Sequence, residues 1–183
     1  TAIFVTHSQE EAMVMGDVLA IMNKGRIEQI DVPAQIFHFP RSRFVADFVG
    51  VSSFLRAHIS DGKVISEIGS LNCPKGIRSE RDNVEIMVRP TQVSLRPSDS
   101  GQFKIVKKTF QGSFYIYDVA LPSGSVIKCS ETHLHDHEPG SRVDLQLACD
   151  DPPTIFVDGY IFNDNSRKPG PTDSETYRMP WQD

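Results

Sequence analysis

Phe114-Tyr115-Ile116-Tyr117-Asp118-Val119-Ala120-Leu121 decides the fold class of this chain. Tyr115, Tyr117, Val119 and Leu121 alternate with Ile116, Asp118 and Ala120, the period of two expected of a strand with one inward face. Gln111-Gly112 precedes the run and Ser123-Gly124 follows it, and both pairs suit turns. Working outward, similar short runs predict strands at 54–59, 63–68, 84–88, 103–110, 126–129 and 142–148, with a last one at 154–157. Asp61-Gly62 marks another turn. Many short strands at even spacing predict a mainly β barrel or sandwich over residues 51–162.

The first 50 residues follow a different pattern. Ala2-Ile3-Phe4-Val5 is a short unbroken apolar run, which predicts a strand buried on both faces, as in a parallel sheet. No βαβ repeat follows to cover it, so the chain is expected to begin inside a larger domain. Ser8 and Glu11 form a capping box at the head of a helix over 9–15, with Glu10 and Glu11 in its favourable first turn. Residues 18–22 and 26–30 predict a hairpin about Asn23-Lys24-Gly25. Pro33 suits the first turn of a helix over 34–38. A further helix over 42–49 carries an apolar stripe of Phe44, Val45, Phe48 and Val49, with Gly50 placed to end it.

Composition excludes several classes. The chain has 183 residues, 39% hydrophobic and 23% charged, which describes a soluble globular protein. A net charge of -5 opposes general nucleic-acid binding. No apolar run is long enough to span a bilayer. Three scattered cysteines, Cys73, Cys129 and Cys149, fit neither a disulfide framework nor a zinc site. Residues 163–183 are rich in Pro, Ser, Thr and charge, and a poorly ordered tail is expected there.

Other side-chain groups compete for a function. His133, His135 and His137, with Asp136 and Glu138 between and beside them, could bind zinc, nickel or iron if alternation on a strand put the imidazoles on one face. The polar character of the segment and Pro139-Gly140 favour a solvated loop instead. Lys104, Lys107 and Lys108 beside Phe103 and Phe110 could serve an oligonucleotide on an OB-like barrel, but a lysine-protected strand edge is the simpler expectation. Ser113, Tyr115 and Arg89 could bind a small oxyanion. The mixed-charge run 78–82 predicts a solvated loop.

The order of motifs carries a resemblance. Phe4-Val5-Thr6-His7-Ser8-Gln9-Glu10-Glu11-Ala12 resembles the switch-histidine segment of ABC-transporter ATPase subunits. Residues 16–30 look like the hairpin that follows that histidine. Val32-Pro33-Ala34-Gln35-Ile36-Phe37 and Phe44-Val45-Ala46-Asp47-Phe48-Val49-Gly50 look like its two linking helices. Val88-Arg89-Pro90-Thr91-Gln92-Val93-Ser94-Leu95 resembles an element of the transport-associated OB domain, TOBE, with Thr91-Gln92 where an acidic residue is usual. Phe110-Gln111-Gly112, Leu121-Pro122-Ser123-Gly124 and Pro139-Gly140-Ser141-Arg142-Val143 look like the same domain. The string is typical of maltose, polyamine and ferric-iron importers.

The resemblance implies that residues 1–50 are a small α/β end of a nucleotide-binding domain, and that an OB-like TOBE barrel or sandwich follows. It implies that His7 is the switch histidine, contacting the γ-phosphate of ATP and positioning the attacking water in the parent protein. ATP and Mg2+ are then cofactors of that parent. The sequence has no G-x-x-x-x-G-K-[ST] loop, no L-S-G-G-Q and no strand ending in Asp-Glu ahead of His7, so the chain alone is expected to bind neither and to be inactive. Implied partners are a second copy of the subunit, transmembrane permease subunits and, indirectly, a solute-binding protein, at the inner face of the plasma membrane in the cytoplasm. Val51-Ser52-Ser53-Phe54-Leu55 looks more like ferric-iron subunits than maltose ones, with polyamine, sulfate and sugar uptake as rivals. A stand-alone OB-like module sensing a small ligand, an oxyanion or a metal is the alternative.

Overall fold

The computed structural model describes residues 2–77, 80–147 and 153–162. The chain divides into two compact units: one built on residues 1–50 together with 158–161, the other on 51–157 with Phe162.

In the first unit, α1 (Gln9–Met15) is capped by Ser8, whose Oγ accepts the Glu11 N–H at 3.3 Å. The reciprocal half of the expected capping box is replaced. The Ser8 N–H donates to Thr6 Oγ1 at 2.9 Å, and Thr6 Oγ1 donates to the Glu11 carboxylate at 2.6 Å. Strands β1 (Leu19–Asn23) and β2 (Arg26–Asp31) pair antiparallel around Lys24-Gly25. Both turn residues have positive φ, 49° and 77°, the type I′ geometry that matches strand twist. Then come α2 (Pro33–His38) and α3 (Arg43–Val49), the latter capped by Ser42.

Leu19, Ile21, Ile36, Val45 and Val49 form the core of this unit. Burying each such side chain contributes roughly 1.5–3 kcal/mol, so this small cluster outweighs any exposed polar contact around it. The predicted stripe on α3 is rotated: Ala46 is buried, whereas Phe44 is exposed and stacks on Phe48 at 6.1 Å. Gln29 is buried with both amide ends used, donating to Phe39 O at 3.2 Å and accepting from the Arg41 N–H at 2.8 Å.

The expected opening strand is not formed. Residues 2–6 lie in no sheet, and Ile3 and Val5 are about nine-tenths exposed, at 92% and 89%. A strand buried on both faces needs neighbours to pair its backbone, and none of the described strands pairs with it.

The second unit is mainly β and antiparallel. One sheet places β12 (Thr154–Val157), β6 (Arg81–Val88), β3 (Ser53–Ser60), β4 (Lys63–Ser66) and β5 (Gly69–Asn72) side by side in that order. The other runs β10 (Val126–Thr132), β9 (Phe114–Ala120), β8 (Phe103–Phe110), β11 (Arg142–Leu147) and β7 (Val93–Pro97). Their inward faces share one core, in which Leu55, Val84, Ile86, Ile105, Tyr117, Val119, Ile127 and Val143 are fully or almost fully buried. The two-residue β13 (Tyr160–Ile161) belongs with the first unit, where Tyr160 bridges to Ser42.

Three strand expectations need correction. The run 63–68 is not one strand: Glu67 and Ile68 turn the chain between β4 and β5, with Ser66 opposite Gly69. Ile68 stays buried although it lies in the turn, which is why its apolar character reads as strand. Strand β7 was not expected, because after Pro90 only Val93 and Leu95 alternate before Pro97. Arg81 and Asp82 open β6 rather than lying in a loop, and the Arg81 guanidinium sits 4.8 Å from the centre of the Phe162 ring. The expected tail at 163–183, Cys149 and the end of the 142–148 strand at Ala148 lie outside the described residues.

Candidate functional site

His7 stands at a bend between residues 2–6, which lie in no sheet, and the Ser8 cap, and it is exposed. The bonds among Thr6, Ser8 and Glu11 fix the backbone on either side of it. The local geometry therefore presents an imidazole at the head of a short capped helix. No other candidate residue of the first unit joins it.

In the second unit the histidine tract is a loop, a strap running from the end of β10 to the start of β11. His133, His135 and Asp136 are exposed, and Leu134 is 78% exposed. The three imidazoles do not converge. His133 Nδ1 lies 3.1 Å from the Ser113 carbonyl, which also accepts the His133 N–H. His135 Nδ1 faces the Glu131 carboxylate at 3.4 Å. The His137 ring packs against Tyr117, centroids 5.5 Å apart. Among the described residues, no group of three or more His, Cys, Asp or Glu side chains is arranged to hold a metal ion.

The strap is held by Tyr117, read from the sequence only as a strand position, and by Lys108, grouped there with Lys104 and Lys107. Tyr117 is fully buried, and its hydroxyl donates to the His135 carbonyl at 3.1 Å and accepts the His137 N–H at 3.0 Å. Burial pushes its phenol above the ordinary value, against the opposing pull of the His137 N–H. Lys108 pairs with Asp136, and with Glu138 at 3.2 Å, while its ammonium lies 4.9 Å from the Tyr115 ring centre. The hydrogen bond to Asp136 above all, with Glu138 adding to it, keeps this ammonium charged well beyond the ordinary lysine range, although burial works the other way. A signal for Tyr117 was available. Alternation faces it inward, and a buried tyrosine hydroxyl needs a partner.

The lysine cluster does not form one face. Val106 is an extra residue in β8, at a register shift between Ile105 and Lys107. Lys104 and Lys107 stay exposed, whereas Lys108 turns towards the strap. Phe103 is in the core and Phe110 is on the surface beside Tyr115, centroids 5.2 Å apart.

The suggested oxyanion group is divided as well. Arg89 is buried, donating to the Val51 carbonyl at 3.3 Å and to Ser52 Oγ at 2.6 Å. Ser113 serves the strap through its carbonyl. Gln92 Oε1 accepts the Arg89 N–H at 2.8 Å, so a neutral amide does the capping for which no acidic side chain is present at Thr91-Gln92.

Comparison with known proteins adds to this geometry. Residues 86–152 match the TOBE domain family, and that part of the chain is a TOBE domain. The chain is similar to the spermidine/putrescine import ATP-binding protein of Clostridium acetobutylicum, with 32% identity over 154 residues, 82% of this chain and 43% of that protein. The protein of the same description from Borreliella afzelii is 35% identical over 155 residues, again 82% of this chain and 44% of the relative. In Frankia alni the figures are 35% over 149 residues, 69% of this chain and 32% of the relative. The chain thus spans less than half the length of these curated relatives. In the first two cases the aligned length exceeds what the residues from Val51 onward could supply, so the similarity reaches into the first unit. The chain is homologous to the C-terminal part of these ABC importer ATP-binding subunits.

Proposed function

We propose that this chain is the regulatory and subunit-pairing end of an ATPase that drives polyamine uptake through partner permeases. The observation that carries the proposal is order. A histidine at a capped helix, a hairpin and two short helices are followed by a TOBE domain, and similarity to polyamine import subunits covers more than the TOBE domain alone. The parent would be a cytoplasmic protein bound peripherally at the membrane. Among the described residues no helix is long and apolar enough to cross a membrane.

In this proposal His7 is the residue that meets the terminal phosphate in the parent. A side chain held at a bend before a capped helix suits that task, because phosphoryl transfer depends on positioning and charge stabilisation. The rest of this chain does not fit ATP and Mg2+: it offers His7 alone, with no glycine-rich loop to cradle phosphates and no strand ending in Asp-Glu ahead of His7 for the metal.

The solute assignment moves from ferric iron to a polyamine. The run that suggested iron is occupied in the fold: the Val51 carbonyl and the Ser52 hydroxyl hold Arg89. Ser53 Oγ accepts the Lys128 N–H, Phe54 packs edge-on against Phe156, and Leu55 is in the core. Those residues report packing rather than solute.

Uptake of labelled spermidine, putrescine and ferric iron in cells lacking the gene, then complemented with the complete reading frame or its His7→Ala form, tests the proposal. Polyamine uptake should vanish on deletion, return with the wild-type frame and stay at background with His7→Ala at equal protein level. Loss of iron uptake alone would overturn the solute. Unchanged uptake of all three solutes would overturn the importer assignment.

A further inference from the structure

The strap between β10 and β11 has an unusual balance of contacts. From His133 to Glu138 only His137 is even half-buried, and no strap side chain belongs to the packed core. Its ends are fixed by main chain: the His133 N–H donates to Ser113 O at 3.1 Å, and the Gly140 N–H donates to Ile105 O at 2.7 Å. Its middle is held by polar groups from two neighbouring strands, Tyr117 of β9 and Lys108 of β8. Beneath it runs a row of rings. Phe110, Tyr115, Tyr117 and the strap's own His137 follow one another at centroid distances of 5.2, 5.8 and 5.5 Å.

We propose that residues 133–138 are a strap that opens as a unit over this aromatic row, held shut by a polar latch of the Tyr117 hydroxyl and the Lys108 ammonium. A segment closed by apolar burial opens only when the core opens. One closed by hydrogen bonds and exposed ion pairs opens at far lower cost, because water replaces each partner. Asp136 and Glu138 are half-exposed and largely exposed, with side chains 50% and 79% accessible, so dissolved salt weakens their hold on Lys108. Tyr117 is a positioning residue for the strap. Its hydroxyl bonds to the strap backbone on both sides, donating to His135 and accepting from His137, and this sets the closed register. The inference does not depend on which solute, if any, the parent protein carries.

Amide hydrogen exchange on the full chain tests it, comparing wild type with Lys108→Met and Tyr117→Phe at low and high sodium chloride. The expected result is strap amides that exchange well ahead of β9 and β10. Lys108→Met should speed them by about threefold to tenfold, the range for exposed ion pairs acting together. It should also abolish the salt sensitivity of the strap, with β9 and β10 unchanged. Tyr117→Phe should accelerate the His137 amide most. If Tyr117→Phe loosens the whole unit, Lys108→Met still decides the matter. Strap amides exchanging in step with β9 and β10, or indifferent to Lys108→Met and to salt, would overturn the proposal.

Discussion

The Glu131 carboxylate accepts the backbone N–H of Leu95 at 2.9 Å. Glu131 is on β10 and Leu95 on β7, the two ends of the second sheet in strand order. A side chain therefore joins the edges where no ladder does. Lys128 is held in a similar way, its N–H donating to Ser53 Oγ across to the other sheet at 3.0 Å. Glu131→Gln keeps an acceptor oxygen and should cost less than about 1 kcal/mol. Glu131→Leu leaves the Leu95 N–H without its partner and should cost about 1–3 kcal/mol. Urea denaturation of the two variants checks the difference, and equal losses would show that the bond does not close the sheet.

Gly101 is required by close approach rather than by backbone angle. A Cβ there would lie 2.6 Å from the carbonyl carbon and oxygen of Val143, which are main-chain atoms of a buried strand residue and cannot swing aside. Gly101→Ala should destabilise the chain by about 2–3 kcal/mol, in the range for overpacking. Gly112→Ala, at φ 79° with open space around it, should cost about 1–2 kcal/mol from backbone strain alone. Thermal denaturation should rank them in that order.

Cys129 gives the stability a pH dependence of known sign. It is fully buried, and burial pushes its thiol from 9.0 up to about 12, with Glu131 and Asp118 adding to the effect. A raised value in the folded state means that the unfolded chain loses its proton first as pH rises. The stabilisation is complete below pH 9 and is lost progressively as pH climbs towards 12. The slope approaches about 1.4 kcal/mol per pH unit for one proton. Urea titrations between pH 8 and 10 should show stability falling in the wild type and falling less in Cys129→Ala. Parallel slopes would mean that the thiol titrates alike in both states.

Ser8→Ala should remove the acceptor for the Glu11 N–H and leave the head of α1 uncapped, at about 1 kcal/mol. Thr6→Val should act on the same helix, since it removes the acceptor for the Ser8 N–H and the donor to Glu11. Hydrogen exchange over Gln9–Met15 should rise in both, and the double variant should lose less than the sum because the bonds share one network. Strict additivity would contradict the coupled cap.

Strong local signals made much of this architecture legible. Gln9–Met15 follows from its cap, and β8 and β12 run over the residues that their β-rich composition indicates. The hairpin follows from Lys24-Gly25, where positive φ at both positions favours the glycine. The opening strand misled because an apolar run carries the same pattern whether or not neighbours exist to pair with it. Phe44 misled because a stripe of four apolar positions fits a helix face in more than one rotation, and only packing chose Ala46.

What the sequence alone determined is the class of each segment: period two with turn pairs for a mainly β unit, capping and helix period for the residues before it. It also singled out His7 by the ordered motifs around it. What the tertiary structure decided is which side chains meet. The extra residue Val106 shifts the register of β8, so that Lys108 faces Tyr117 and Phe110 faces Tyr115. Without that shift Lys107 would lie opposite Tyr117 in place of Lys108, and Thr109 would replace the Phe110 ring opposite Tyr115. Local propensity does not encode a register shift, because the shift is chosen by how Ile105 and Phe103 seat in the shared core.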